Sequence, residues 1–233
     1  MNGTTKEQGV FITFEGGEGV GKSTQILLLA LRLEAAGIEV LRLREPGGTR
    51  IGEKIRAILL DPENTDLDDV SELLLYEAAR SQLVSQVIKP ALDRGATVLC
   101  DRFTDSTLAY QGAARELGFD LVERANHLGS QGLKPHRTIV LMHDIEEALN
   151  RAIKEGADRL EAEGLDFHRK VMRGFIQVAE RYPERVCLVQ SLSNKAETAE
   201  AVFAELKDLF PQAAAIDFKV TKELLAKVRE EHD

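Results

Sequence analysis

Gly16-Gly17-Glu18-Gly19-Val20-Gly21-Lys22-Ser23 stands between the apolar run Val10-Phe11-Ile12-Thr13-Phe14 and a second apolar stretch from Gln25 to Leu33. A glycine at each end of this span, followed by lysine and a hydroxyl residue, is the spacing of a phosphate cradle placed between a strand and a helix. Glycines let the backbone turn tightly and aim successive amide hydrogens inward, and the helix that follows adds its positive N-terminal end. Lys22 supplies a mobile cation for outer phosphates, and the Ser23 hydroxyl suits a magnesium ion. The alternative, a glycine-rich turn that binds nothing, does not account for the strand before it and the helix after it.

Working outward from the loop, short and nearly continuous apolar runs recur at 10–14, 38–43, 97–100, 138–142 and 185–189, as expected of strands buried on both faces. Helical patterns lie between and after them, at 23–36, 52–60, 71–94, 121–128, 145–154, 164–181 and 195–209. This alternation predicts an α/β domain with a five-stranded parallel sheet, helices on both faces and ligands beyond the carboxyl ends of the strands. The segment 61–69, rich in aspartate, reads as a solvated loop. Beyond Pro211, an alanine-rich connector leads to 216–230, whose apolar residues Val220, Leu224, Leu225 and Val228 fit an additional amphipathic helix. Such a helix either packs back on the domain or serves a partner.

With 233 residues, 43% of them hydrophobic, the chain suffices for one substantial core. Its net charge of -9 argues against a general nucleic-acid or anionic-membrane surface. No stretch has the apolar length of a membrane span, and the polar segment 1–9 reads as a flexible N-terminus without a signal-peptide core, so the cytoplasm is the expected location. Cys100 and Cys187 sit in strand-like runs and suit buried, reduced thiols. His136 and His143 flank a predicted strand and read as ordinary strand-end residues, without metal-ligand spacing.

Chemistry gathers at the ends of the predicted strands. Asp101-Arg102 follows the third and places a carboxylate for magnesium beside a guanidinium able to clamp a phosphate; a surface ion pair is the plain alternative. Arg44-Glu45-Pro46-Gly47-Gly48-Thr49 follows the second strand as a tight turn, with Arg56 on the next helix within reach of an acceptor phosphate. Tyr76 and Arg80, four residues apart, share a helix face and suit either stacking on a nucleobase or ordinary core packing. Ser106-Thr107-Leu108-Ala109-Tyr110-Gln111-Gly112 adds hydroxyl and amide groups suited to a small polar ligand. The charged segment 151–164, interrupted by glycines, reads as a lid that delivers cations on closure, or as a solvated loop.

Phe14-Glu15-Gly16 leading into the loop, Arg44-Glu45-Pro46-Gly47-Gly48-Thr49, Ala78-Ala79-Arg80, Asp101-Arg102-Phe103 and Ala109-Tyr110-Gln111-Gly112 together resemble the bacterial thymidylate kinase family, in order, from Val10 to about Phe210. The resemblance implies a P-loop NTPase fold in a single nucleoside monophosphate kinase domain, 10–211, with a lid at about 151–164 and 212–233 as an added C-terminal helix. It implies transfer of a phosphoryl group from ATP to dTMP, giving dTDP, with Mg2+ and a homodimer. ATP falls to Gly16, Gly17, Glu18, Gly19, Val20, Gly21, Lys22, Ser23 and Thr24. By position, Tyr76 stacks on thymine, Arg80, Thr107 and Gln111 contact the base, Arg56 and Arg102 hold the acceptor phosphate, Glu18 lies near the deoxyribose, and Pro46 and Tyr110 complete the dTMP site. Lys22, Asp101, Arg102 and Glu18 form the catalytic set, with Ser23 and Asp101 at the metal.

Family members with an acidic residue at the Glu18 position supply the catalytic cation from the lid, so the resemblance nominates Arg151 and Arg159, with Lys154 behind them. Here Lys154-Glu155-Gly156 stands where further basic residues are expected, and His143 where aspartate is more common. Two other readings stay open: a kinase for a different nucleoside monophosphate or a deoxynucleoside, and a nucleotide-dependent switch. The second lacks the Asn-Lys-x-Asp motif of a guanine-binding switch.

Overall fold

A computed structural model of the chain describes residues 8–143, 159–160, 162–221 and 224–225. The expected flexible segment through residue 7, the helix at 145–154 with Arg151 and Lys154, and the expected helix end at 226–230 lie outside the described residues. The strands are β1 (Phe11–Glu15), β2 (Val40–Arg44), β3 (Thr97–Asp101), β4 (Arg137–Met142) and β5 (Val186–Gln190). They form one five-stranded parallel sheet in the order β2-β3-β1-β4-β5. The chain therefore leaves β1 toward one edge and later returns to build the other, and the crevice at such a reversal opens beyond the strand C-termini. Register brings Phe14 opposite Asp101, and Asp101 opposite Arg44, at that edge.

Alternation along the strands explains their continuous apolar character. Ile12 and Phe14 of β1, with Leu99, Ile139 and Leu141, face α1 (Lys22–Ala35) and the α8 (Lys195–Ala204) layer. Phe11, Val98 and Cys100 face the opposite layer, formed by α3 (Asp69–Leu83) and its continuation. On that side Val140 packs with Tyr110 and with Phe175 of α7 (Leu165–Arg181). Both faces are thus covered, as a parallel sheet requires. Cys100 is buried and Cys187 half-buried, and both are free thiols.

The single helix expected over 71–94 is subdivided. α3 passes into a wider π turn at Val84–Ile88 and resumes as α4 (Lys89–Asp93), with Pro90 in its first turn. Proline has no N–H to offer the preceding turn and its ring crowds that turn's carbonyl, so the wider turn accommodates it. α2 (Arg50–Leu60) is capped by the Thr49 hydroxyl, which accepts from the Gly52 amide at 2.9 Å. α5 (Thr104–Thr107) runs into a π stretch at Leu108–Ala114, and α6 (Phe119–Gly129) and the short α9 (Pro211–Ala214) complete the described helices.

The C-terminal expectation needs correction at its start: among the described residues 216–221 are not helical, whereas Leu224 and Leu225 are, with the Leu225 amide donating to the Thr221 carbonyl at 3.0 Å. Phe218 lies 5.6 Å from the Arg32 guanidinium, which also stacks on Phe203 at 3.6 Å, while Val220, Leu224 and Leu225 cover Leu27 and Leu28 of α1. The segment packs back on the domain, against the helix that begins at the glycine-rich loop.

Candidate active site

One cleft of about 970 Å³ opens along the C-terminal edge of the sheet, from Lys195 and the glycine-rich loop to Tyr76 and Gln111. The loop earns its glycines at defined points. Gly16 has φ 128, and a Cβ there would sit 2.5 Å from the Leu141 carbonyl oxygen; Gly21 has φ 95 and caps α1. No acidic residue occupies the first turn of α1 itself, and its positive N-terminal end faces the cleft. Glu18, Gly19, Gly21, Lys22, Ser23 and Thr24 line the cleft. Val20 instead turns its side chain into the core, while its carbonyl accepts from the Ser191 hydroxyl at 2.9 Å.

The Lys22 ammonium donates to the carbonyls of Gly17 at 2.8 Å and Gly16 at 3.4 Å. Burial first, then the Arg102 charge, lowers its pKa, against the pull of Glu18 and Asp101. Ser23 Oγ lies 3.5 Å from Asp101 Oδ2, and Asp101 Oδ1 is buried without a protein hydrogen-bond partner. A hydroxyl beside a carboxylate with a spare oxygen is a hard-oxygen donor pair of the kind magnesium takes from protein when phosphates supply the rest.

Arg102 has left-handed backbone, φ 67, which turns its side chain back over the loop. One terminal nitrogen donates to Gly16 O and to Ser106 Oγ, each at 3.1 Å, and the other is ion-paired with Glu18. Its guanidinium also lies 5.0 Å above the Tyr110 ring. Burial works to raise the Glu18 carboxyl, but Arg102, then Lys22 and His168, together with the Tyr110 hydroxyl, outweigh it and hold the pKa at about 2. Because the folded-state pKa is depressed, the stabilisation is present above pH about 4.5 and is lost as pH falls toward about 2. Urea unfolding of Glu18→Gln and the parent should therefore differ by up to about 3 kcal/mol at neutral pH, with the gap closing across that acid window. A gap independent of pH would contradict the pairing.

At the far end of the cleft, Arg80 is only 2% exposed. Its Nε–H donates to Glu45 at 2.8 Å, one terminal nitrogen to Glu77 at 2.6 Å and Asn126 at 2.8 Å, and the other to Thr107 at 2.9 Å. Of the five guanidinium hydrogens, one on the nitrogen beside Thr107 remains for a ligand. Burial pushes the Glu45 carboxyl up, and although Arg80 opposes this its pKa reaches about 7; burial likewise raises Glu77. Gln111 donates its amide to Glu72 at 2.7 Å, which leaves its carbonyl oxygen as an acceptor. Arg56 donates to the Pro46 carbonyl at 3.0 Å, and both residues line the cleft with Tyr76.

Arg159 does not line this cleft. Its Nε–H donates to the Leu59 carbonyl at 2.8 Å and its terminal nitrogen is ion-paired with Glu72, a fully buried carboxylate. Its neighbour Leu160 does reach the cleft wall.

The thymidylate kinase family model matches residues 14–202, the span that carries the loop, Arg80 and Asp101-Arg102. The chain belongs to the thymidylate kinase family. It is 49% identical over 202 residues to a thymidylate kinase of Geotalea daltonii, covering 83% of this chain and 94% of that one. It is 45% identical over 205 residues to one of Pelobacter propionicus, covering 85% and 94%. Among solved structures, thymidylate kinase from Ehrlichia chaffeensis superposes with a TM-score of 0.67 at 32% identity, covering 87% of this chain and 97% of that one.

Within this family member, the residue that sequence reasoning missed most plainly is Glu72. It precedes Tyr76 and Arg80 at helical spacing, so the i, i+4, i+8 stripe on α3 was a usable signal. Glu77 and Asn126 carried no such signal, since their role emerges only where α3 and α6 meet around Arg80.

Proposed function

We propose that this cleft transfers the terminal phosphoryl group of ATP directly to the phosphate of dTMP, with the two nucleotides bound at its opposite ends. ATP-dependent phosphorylation of dTMP to dTDP, a step of dTTP biosynthesis, is the activity of the family to which the chain belongs. The observation that carries the residue assignments is the continuity of one cleft from Lys22 to Arg80 and Gln111, with Arg102 between them.

The acceptor oxygen is already anionic, so catalysis needs charge placement and alignment more than a strong base. Lys22, the loop amides and the α1 N-terminus hold the donor, with residues 16–24 around it. Arg102, with Arg56 beyond it, faces the acceptor phosphate, and Glu18 holds Arg102 against the loop. Ser23 and Asp101 would hold Mg2+, which when bound spreads the charge of the donor phosphates.

Thymine presents an N–H flanked by two carbonyl oxygens. The remaining Arg80 hydrogen suits one carbonyl, the Gln111 oxygen suits the N–H, Thr107 braces Arg80, and Tyr76 offers its ring face. Cytosine would set its amino hydrogens against the Arg80 donor, a mismatch that hydrogen-bonding sites reject strongly. Tyr110 and Pro46 close the sides. Arg151, and Arg159 if released from Glu72, are the cations proposed for the transferring phosphoryl group.

A homodimer is supported by exposed Ile51 and Ile58 on α2, Val70 and Leu74 on α3, and Leu121 and Leu128 on α6, because these helices pack side by side and Leu128 is 78% exposed. Among the described residues no helix is long and apolar enough to cross a membrane. We place the enzyme in the cytoplasm, where free Cys100 and Cys187 would stay reduced.

A coupled assay for ADP with ATP and a panel of monophosphates tests the assignment. dTMP should be the preferred acceptor, with dCMP slower by roughly four orders of magnitude. Comparable turnover of dCMP would contradict the roles given to Arg80 and Gln111.

A further inference from the structure

We infer that Glu15, buried behind the glycine-rich loop, is a positioning residue that fixes the Arg102 guanidinium through the Phe103 amide and the Ser106 hydroxyl. The inference rests on the reading of Arg102 as the clamp on the acceptor phosphate.

Glu15 ends β1 and is fully buried. One carboxyl oxygen accepts from the Phe103 amide at 2.8 Å and the other from the Ser106 hydroxyl. Ser106 Oγ in turn accepts from the same Arg102 nitrogen that donates to Gly16 O. The carboxylate is thus one hydroxyl removed from the guanidinium, and that guanidinium touches the loop on its other side.

Backbone conformation gives the arrangement its purpose. Left-handed backbone at a non-glycine residue is strained and persists only where the surroundings over-determine it. Here the Arg102 amide donates to Phe14 O at 2.9 Å, the next amide donates to Glu15, and Phe103 packs edge-on to Phe11 at 5.0 Å. The turn carrying Arg102 is therefore tied to the end of β1 on both sides of the strained residue.

The carboxyl is costly to keep. Burial first, and then the charge of Asp105, raise its pKa, while Ser106, Arg102 and Phe103 pull it back. Asp105 already has a guanidinium of its own, Arg185, at 2.6 and 2.8 Å. A buried acid without a dedicated cation contributes little to folding, so its use lies in what it orients.

The test is a double-mutant cycle of Glu15→Gln and Arg102→Ala, read as kcat and KM for dTMP and as ATP affinity. Glutamine can still accept from Phe103 but presents an amino group to Ser106, disturbing the link to Arg102. Glu15→Gln alone should lower kcat/KM for dTMP about tenfold with ATP affinity unchanged, and should cost less than about twofold in the Arg102→Ala background. The same factor in both backgrounds, or Glu15→Gln indistinguishable from the parent, would overturn the inference. Near-normal turnover by Arg102→Ala would overturn both this inference and the clamp reading; a large Arg102→Ala loss with an additive Glu15 effect would overturn this one only. Should Glu15→Gln fail to fold, Ser106→Ala cuts the same link while leaving the Phe103 bond to Glu15, and the same coupling is expected of it. An additive effect of Ser106→Ala would then reject the proposal.

Discussion

Arg102→Ala should lower dTMP turnover about a thousandfold, equivalent to about 4 kcal/mol of transition-state stabilisation, while ATP affinity changes by less than about threefold. The asymmetry follows from position. Lys22 and the loop amides at the donor end remain intact, whereas the guanidinium over Tyr110 lies between the loop and the base end of the cleft. Lysine at this position should recover little, because a single ammonium cannot span Gly16, Ser106 and Glu18 as the planar fork does. Steady-state kinetics with dTMP, together with calorimetric titration of ATP, separate the two effects. Turnover within about twofold of the parent would remove Arg102 from the mechanism.

Arg80→Met should cost about 3–5 kcal/mol of stability and abolish discrimination among pyrimidine monophosphates. The guanidinium is the hub for Glu45, Glu77, Asn126 and Thr107, all buried, and its removal strands two carboxyls without a cation. Oxygens of Glu45 and Glu77 are already without hydrogen-bond partners, which leaves the cluster little reserve. The pH sign is opposite to that for Glu18. Burial already raises Glu45, to about 7, and Glu77 in the parent, and loss of Arg80 raises both further, so the deficit of the variant should be smallest in mild acid and widen as pH rises through about 7. Urea unfolding at several pH values reads this directly. A pH-independent deficit below about 1 kcal/mol would show that Arg80 is not the charge that balances Glu45 and Glu77.

The fold was legible because strand periodicity and the loop at 16–23 point to the same architecture, and parallel strands buried on both faces leave an unbroken apolar signature. The departures have local causes. Pro90 widened a helix whose apolar period runs straight through it, and Phe218 packs beside Arg32 in a non-helical stretch that the spacing at 220, 224 and 225 did not announce. Asp101-Arg102 was readable as a pair, but not the left-handed backbone that turns Arg102 toward Glu18. Arg159 is the instructive case. Its charge and place in the sequence recommended it as a cation for the transferring phosphate, yet it is ion-paired with Glu72, 87 positions earlier in the chain, a pairing that no local spacing announces.

In the proposed reaction the terminal phosphoryl group passes directly between two nucleotides held in one cleft. Phosphorus NMR of the purified chain with ATP and dTMP follows that transfer. The expected result is ADP and dTDP appearing in equal amounts, with no inorganic phosphate above the level seen without enzyme. ADP accompanied by inorganic phosphate, with dTMP unchanged, would contradict it.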